Sequence, residues 1–193
     1  LSNLNINNLD TSNCESMSKM FKDCSSLITL NLNHLDVRKV KEMDGMFEGC
    51  SNLRELTINQ LVTSSATTMA NMFAKCEKLV ILDLSSFITT EVTEMRNMFN
   101  GCKALETVVL SSFNTSKVTN MNKMFDSCNS LQTLDLSNFN TDNLKNIGKM
   151  FSGCKSLKEL DLSSFNTNLV TNMEQVFYNC YNLTSLKLSF NTN

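Results

Sequence analysis

The chain has 193 residues, with 17 Lys plus Arg against 19 Asp plus Glu, a formal charge of −2, no Pro and eight Cys. So even a balance offers no whole-chain attraction to nucleic acid or to an anionic bilayer, and neither is expected as a partner. No run of 18 apolar residues exists, so no membrane insertion by this segment is expected, and Leu1-Ser2-Asn3-Leu4 has neither the basic nor the apolar region of a secretory signal.

From its first residue the chain is inside a repeat, because Leu1, Leu4 and Ile6 stand 26 residues before Leu27, Leu30 and Leu32. Cys24, Cys50, Cys76, Cys102, Cys128, Cys154 and Cys180 keep the same interval, each three residues after a Phe, at 21, 47, 73, 99, 125, 151 and 177. A fixed period over the whole length marks a solenoid, in which each coil buries its apolar face only by stacking on its neighbours. The expectation is one elongated domain over residues 1–193, about seven coils. Neither end carries a polar capping coil, Phe190 arrives one residue early, and the chain reads as a piece of a longer protein.

Within one coil, Val118, Met121, Met124, Phe125, Cys128 and Leu131 recur at steps of three and four, which predicts a short helix. Thr93, Thr119 and Thr171 precede the corresponding stretches as expected N-caps, with Glu174 at the capping-box distance from Thr171. Asp23, Gly49, Lys75, Gly101, Ser127, Gly153 and Asn179 precede each Cys, where a left-handed helix C-cap is expected. Leu131, Leu134 and Leu136 then switch to alternation, which predicts a short strand, and Phe87, Phe113, Phe139 and Phe165 close the core after it. All twelve Met fall in two columns on the Phe face. Ile147 and Val176 stand in those columns too, which suits packing and not soft-metal ligation.

The run Asn120-Met121-Asn122-Lys123-Met124-Phe125-Asp126-Ser127-Cys128-Asn129-Ser130-Leu131-Gln132-Thr133-Leu134-Asp135-Leu136-Ser137-Asn138-Phe139-Asn140-Thr141 resembles the repeat of BspA-like leucine-rich-repeat surface proteins, including mycoplasma surface lipoproteins. The likeness covers nearly the whole chain. It implies an α/β solenoid of leucine-rich-repeat type, with a parallel sheet on the concave face, short helices on the convex face, and a place at the cell surface or in secretion. It also implies adhesion to a host or matrix protein or to a glycan.

On such a fold the outward strand positions carry recognition, and two of their columns vary where the core columns do not. Arg54, Glu55, Ile81, Asp83, Val109, Asp135, Glu159 and Asp161 are the candidate partner-binding residues, a mildly acidic face with a small apolar patch at Ile81 and Val109. The competing expectation is structural: uncapped coils stacking end to end into a layer or filament.

No catalytic group, cofactor or metal site is expected. His34 is the only His, no C-x-x-C occurs, and no phosphate-binding or metalloprotease motif is present. The Cys column reads as reduced, buried thiols, since equivalent side chains in stacked coils point in parallel. Asp83, Asp135 and Asp161 provide too few carboxylates per coil for a calcium cage. The Thr column at 11, 63, 89, 115, 141 and 167 reads as turn residues bonding backbone, with an ice-ordering surface as the alternative.

Overall fold

A computed structural model describes residues 4, 6 and 8–189. Leu1, Phe190, Thr192 and Asn193, on which the reading of the two ends rested, lie outside the described residues. The coils stack at the expected interval. Six short strands form: β1 Thr29–Asn31, β2 Glu55–Thr57, β3 Ile81–Asp83, β4 Thr107–Val109, β5 Glu159–Leu162 and β6 Ser185–Leu188. They pair in parallel, β1 with β2, β3 with β4 and β5 with β6, each residue opposite the one 26 positions on, as with Leu30 and Leu56.

Across the coil from the strands the predicted helices are absent: no described residue is helical, and the segment before each Cys is a chain of tight turns. Its hydrogen bonds show why. In the coil of Phe125, the N–H groups of Met121, Lys123, Phe125 and Ser127 donate to the carbonyls of Asn146, Gly148, Met150 and Ser152 in the next coil. The intervening Met124, Asp126 and Cys128 donate three residues back, to Met121, Lys123 and Phe125.

Two left-handed residues per coil impose this zigzag. One column is the expected position before Cys, where Asp23, Gly49, Lys75, Gly101, Ser127, Gly153 and Asn179 all have φ between 58° and 76°. They are turn residues and not helix C-caps. A second left-handed column, four residues earlier, holds Lys19, Gly45, Asn71, Asn97, Lys123, Lys149 and Gln175. With φ reversed every fourth residue no α-helical turn can propagate, yet steps of three and four between apolar side chains survive.

The expected N-caps also have another role. The backbone N–H groups of Thr93, Thr119 and Thr171 donate to residues 67, 93 and 145 of the preceding coils. A column of single parallel bridges runs beside them, from Ser16 through Glu42, Thr68, Glu94, Asn120 and Asn146 to Asn172. The coils are therefore tied continuously along this bridge column and in pairs along the strands.

Between the two ladders lies one continuous core. Phe21, Phe47, Phe73, Phe99, Phe125, Phe151 and Phe177 form a ring stack with centroids 5.3–5.9 Å apart. The Met columns flank this stack and are buried except at Met20 and Met173 in the outer coils, and Ile147 and Val176 are buried in the same columns. Packing is thus what selects those positions.

Candidate recognition face

The eight candidate residues all lie on the strand side, though not equivalently. Glu55, Ile81 and Glu159 occupy one row with Thr29, Thr107, Thr133 and Ser185, and Ile81 is 63% exposed. Asp83, Val109, Asp135 and Asp161 occupy a second row, two residues on. Arg54 precedes Glu55 in a third row, with Ile28 and Val80, which were not singled out and are partly exposed. Apolar residues at 28 and 80, where other coils carry Arg54, Glu106, Gln132 and Lys158, were the available signal.

Three of the carboxylates have work inside their own coil. Oδ1 of Asp83, Asp135 and Asp161 accepts the backbone N–H of Ser85, Ser137 and Ser163 at 2.9–3.0 Å, turning the chain as the strand ends. Bonds from the Ser85 hydroxyl and backbone lower the Asp83 pKa, and the Ser137 backbone and hydroxyl lower that of Asp135. Ser163 and Lys187 together hold Asp161 at about 2. Asn31 makes the same turn bond to Asn33, so an amide suffices for the fold and the charge is a surplus. Asp161 is also paired with Lys187 at 3.0 Å.

The strand ladder is discontinuous, which no sequence pattern had announced. β2 and β3 do not pair with each other, and residues 131–136 form no strand, their nearest ladder contact being the Lys158 N–H on the Gln132 carbonyl at 3.5 Å. Two depressions follow. One, of about 330 Å³, is lined by Arg54, Glu55, Leu56, Thr57, Val80 and Ile81. The other, of about 320 Å³, is lined by Thr133, Leu134, Asp135, Glu159, Leu160, Asp161, Ser185 and Lys187. In this column Leu56, Val108 and Leu134 are half-buried, whereas Leu30, Leu82 and Leu160 are buried.

Behind these strands, where the resemblance implied convex helices, the described residues carry hydrogen-bonded turns instead.

The remaining columns are committed to structure. Thr63, Thr89, Thr115 and Thr141 are buried, and their hydroxyls donate to the carbonyls of Ile88, Asn114, Asn140 and Asn166 in the next coil at 2.7–3.2 Å. A buried Thr column orders no external water, which removes the ice-binding alternative. Every Cys is free, and the thiols of Cys50 to Cys180 each donate to the Phe carbonyl of the preceding coil at 3.0–3.2 Å. They are therefore backbone ties as well as the small apolar fillers expected. Burial pushes Cys50 and Cys102 up to about 12 and Cys76, Cys128 and Cys154 well above their usual value, so the interior thiols are not nucleophiles at neutral pH. His34 is exposed, its Nε2 3.0 Å from the Ile6 carbonyl. Among the described residues no group of three or more His, Cys, Asp or Glu is placed to hold a metal ion, and no helix is long and apolar enough to cross a membrane.

Parallel coils, a repeated Leu pattern and a stacked Phe ladder define a solenoid of leucine-rich-repeat type. Residues 1–82 and 67–190 match the family DUF285, described as a Mycoplasma protein of unknown function, and the chain belongs to that family. This agrees with the BspA-like, mycoplasma-type repeat recognised in the sequence. No functionally curated protein matches the chain.

Among solved structures, a leucine-rich repeat protein from Bacteroides ovatus is similar over 88% of this chain and 51% of its own length, with 15% identity and a TM-score of 0.49. A leucine-rich-repeat protein of Leptospira interrogans is similar over 98% of this chain and 55% of its own, with 17% identity and a TM-score of 0.37. The TLR13–ssRNA13 complex is similar over 88% of this chain and 24% of that one, with 24% identity and a TM-score of 0.45. The chain thus spans about half or less of the length of these proteins.

Proposed function

We propose that this chain is a non-catalytic recognition module of a cell-surface or secreted protein, and that its strand face binds a protein or glycan of a host or matrix. One observation carries the reading. The Met, Phe, Cys, Leu and Thr columns are fixed by packing or by bonds between coils, while the strand-face rows vary and stay exposed at Glu55, Ile81, Asp135, Glu159 and Asp161. A scaffold tied along two ladders holds such residues in register before contact, so little ordering entropy opposes binding. Family membership supports a repeat interaction module.

The test is a binding screen of the 193-residue protein against matrix proteins and glycans, repeated with Ile81→Asp and Glu159→Lys. Both side chains project from the face outside any turn bond, so thermal melts should stay within a few degrees of wild type. Loss of the captured partner in both variants supports the reading. Capture that survives both substitutions refutes it.

A further inference from the structure

Among the described residues, the seam between residues 131–136 and β5 combines features found nowhere else on the strand face. Its floor is apolar, from Leu134 and Leu160, and Leu134 is half-buried in a segment that forms no strand. Its rim carries three carboxylates, Asp135, Glu159 and Asp161, against one ammonium, Lys187, which is already paired with Asp161. Lys158, adjacent in sequence, does not line it. Asp135 has one oxygen in its turn bond and its second oxygen outside that bond.

An apolar floor under an acidic rim is the complement of a Lys or Arg side chain, whose hydrocarbon stem packs while its cationic head stays at the edge. Resting on the strand-face reading above, we infer that this seam receives a Lys or Arg side chain from an extended segment of a partner protein. A sugar is the poorer fit. The outward strand rows at 28–184, 29–185 and 31–187 contain no aromatic ring for a pyranose to lie on, and a neutral sugar leaves the rim charge unanswered.

The second depression extends the match. Ile81 and Glu159 occupy the same outward row three coils apart, a span of roughly 15 Å at strand spacing, which an extended segment covers in about four to five residues. The partner segment thus places an apolar side chain over Val80 and Ile81 and a basic one over Leu134.

The probe is a fluorescein-labelled decapeptide carrying Leu and Lys four residues apart in a Ser/Thr background, with a second peptide in which Gln replaces Lys. Fluorescence anisotropy would be measured against wild type and the double variant Asp135→Asn/Glu159→Gln. Asn keeps the turn bond that Asn31 already makes, so the variant removes charge without removing the turn. The expected result is at least a tenfold weaker affinity when either the peptide's Lys or the seam's charges are neutralised, together with a loss of binding as salt rises. Equal affinity of the two peptides, no binding by either, or an unchanged affinity in the double variant overturns the inference. A partner from the screen that is lost with Ile81→Asp and Glu159→Lys but binds the double variant as tightly as wild type overturns it while leaving the recognition module standing. Capture that ignores all of these substitutions removes both.

Discussion

Raising the pH should unfold this protein through its thiols. Cys50, Cys76, Cys102, Cys128 and Cys154 are 0% exposed, and each donates to a Phe carbonyl of the preceding coil. Burial raises all five above the 9.0 of a free thiol, Cys50 and Cys102 to about 12. Below pH 9 the folded and unfolded chains both keep these protons, and the stability they contribute is fully present. Above pH 9 only the unfolded chain releases them, so stability falls as pH rises until the folded thiols titrate. At pH 10 each thiol costs about 1.4 kcal/mol relative to pH 8, or about 7 kcal/mol for the five, against the 5–15 kcal/mol of a typical domain. Urea midpoints measured at pH 7, 8, 9 and 10 under reductant should drop steeply over the last unit. Cys102→Ala should be less stable at pH 7 but lose about a fifth of that slope. A midpoint flat to within about 1 kcal/mol between pH 8 and pH 10 would refute a buried, protonated thiol column.

Three further outcomes follow from the packing. Phe125→Ala empties a ring site between Phe99 and Phe151, at 5.3 and 5.9 Å, and should cost about 3–5 kcal/mol by chemical denaturation; a loss under about 1 kcal/mol would contradict the ring stack. Thr89→Val removes a buried hydroxyl that both donates to the Asn114 carbonyl and accepts its N–H at 2.8 Å, leaving two unpaired backbone groups, and should cost about 2–4 kcal/mol, whereas the exposed Thr133→Val should be near neutral. Gly49→Ala should be worse than Gly101→Ala in thermal melts. Both have positive φ, but a methyl at 49 meets Asp23 Oδ1 within contact distance while one at 101 finds its nearest atom at 3.6 Å, so only the first combines a clash with the backbone penalty of about 1 kcal/mol. Asp23→Ala should narrow the difference.

Much of the molecule was legible in the linear text. An interval of 26 residues, kept from Cys24 to Cys180, fixes which residues lie over one another, so the Phe stack, the buried Met columns and the outward rows at Glu55 and Asp135 follow from counting alone. The left-handed turn before each Cys was readable as well, because Gly49, Gly101 and Gly153 accept that conformation without a Cβ penalty. The roles of Thr89 and the thiols were half legible: a backbone bond was expected of the Thr and burial of the thiols, but not the carbonyl in a neighbouring coil that each one bonds.

Only the tertiary structure decided between a helix and a zigzag of turns in the segment holding Val118 to Cys128. Steps of three and four between apolar residues satisfy either, and the choice falls to where the backbone N–H groups find acceptors. In a single coil the nearest acceptors are local, and a helix is the natural expectation. In the stack, the carbonyls of Asn146, Gly148, Met150 and Ser152 arrive within reach of Met121, Lys123, Phe125 and Ser127, and bonds between coils replace bonds along one. The open rungs at Leu56 and Leu134 are a product of the same stacking. Coils gripped continuously on the bridge face need not close every rung on the strand face, and a seam that depends on how two coils meet is written in neither coil's sequence.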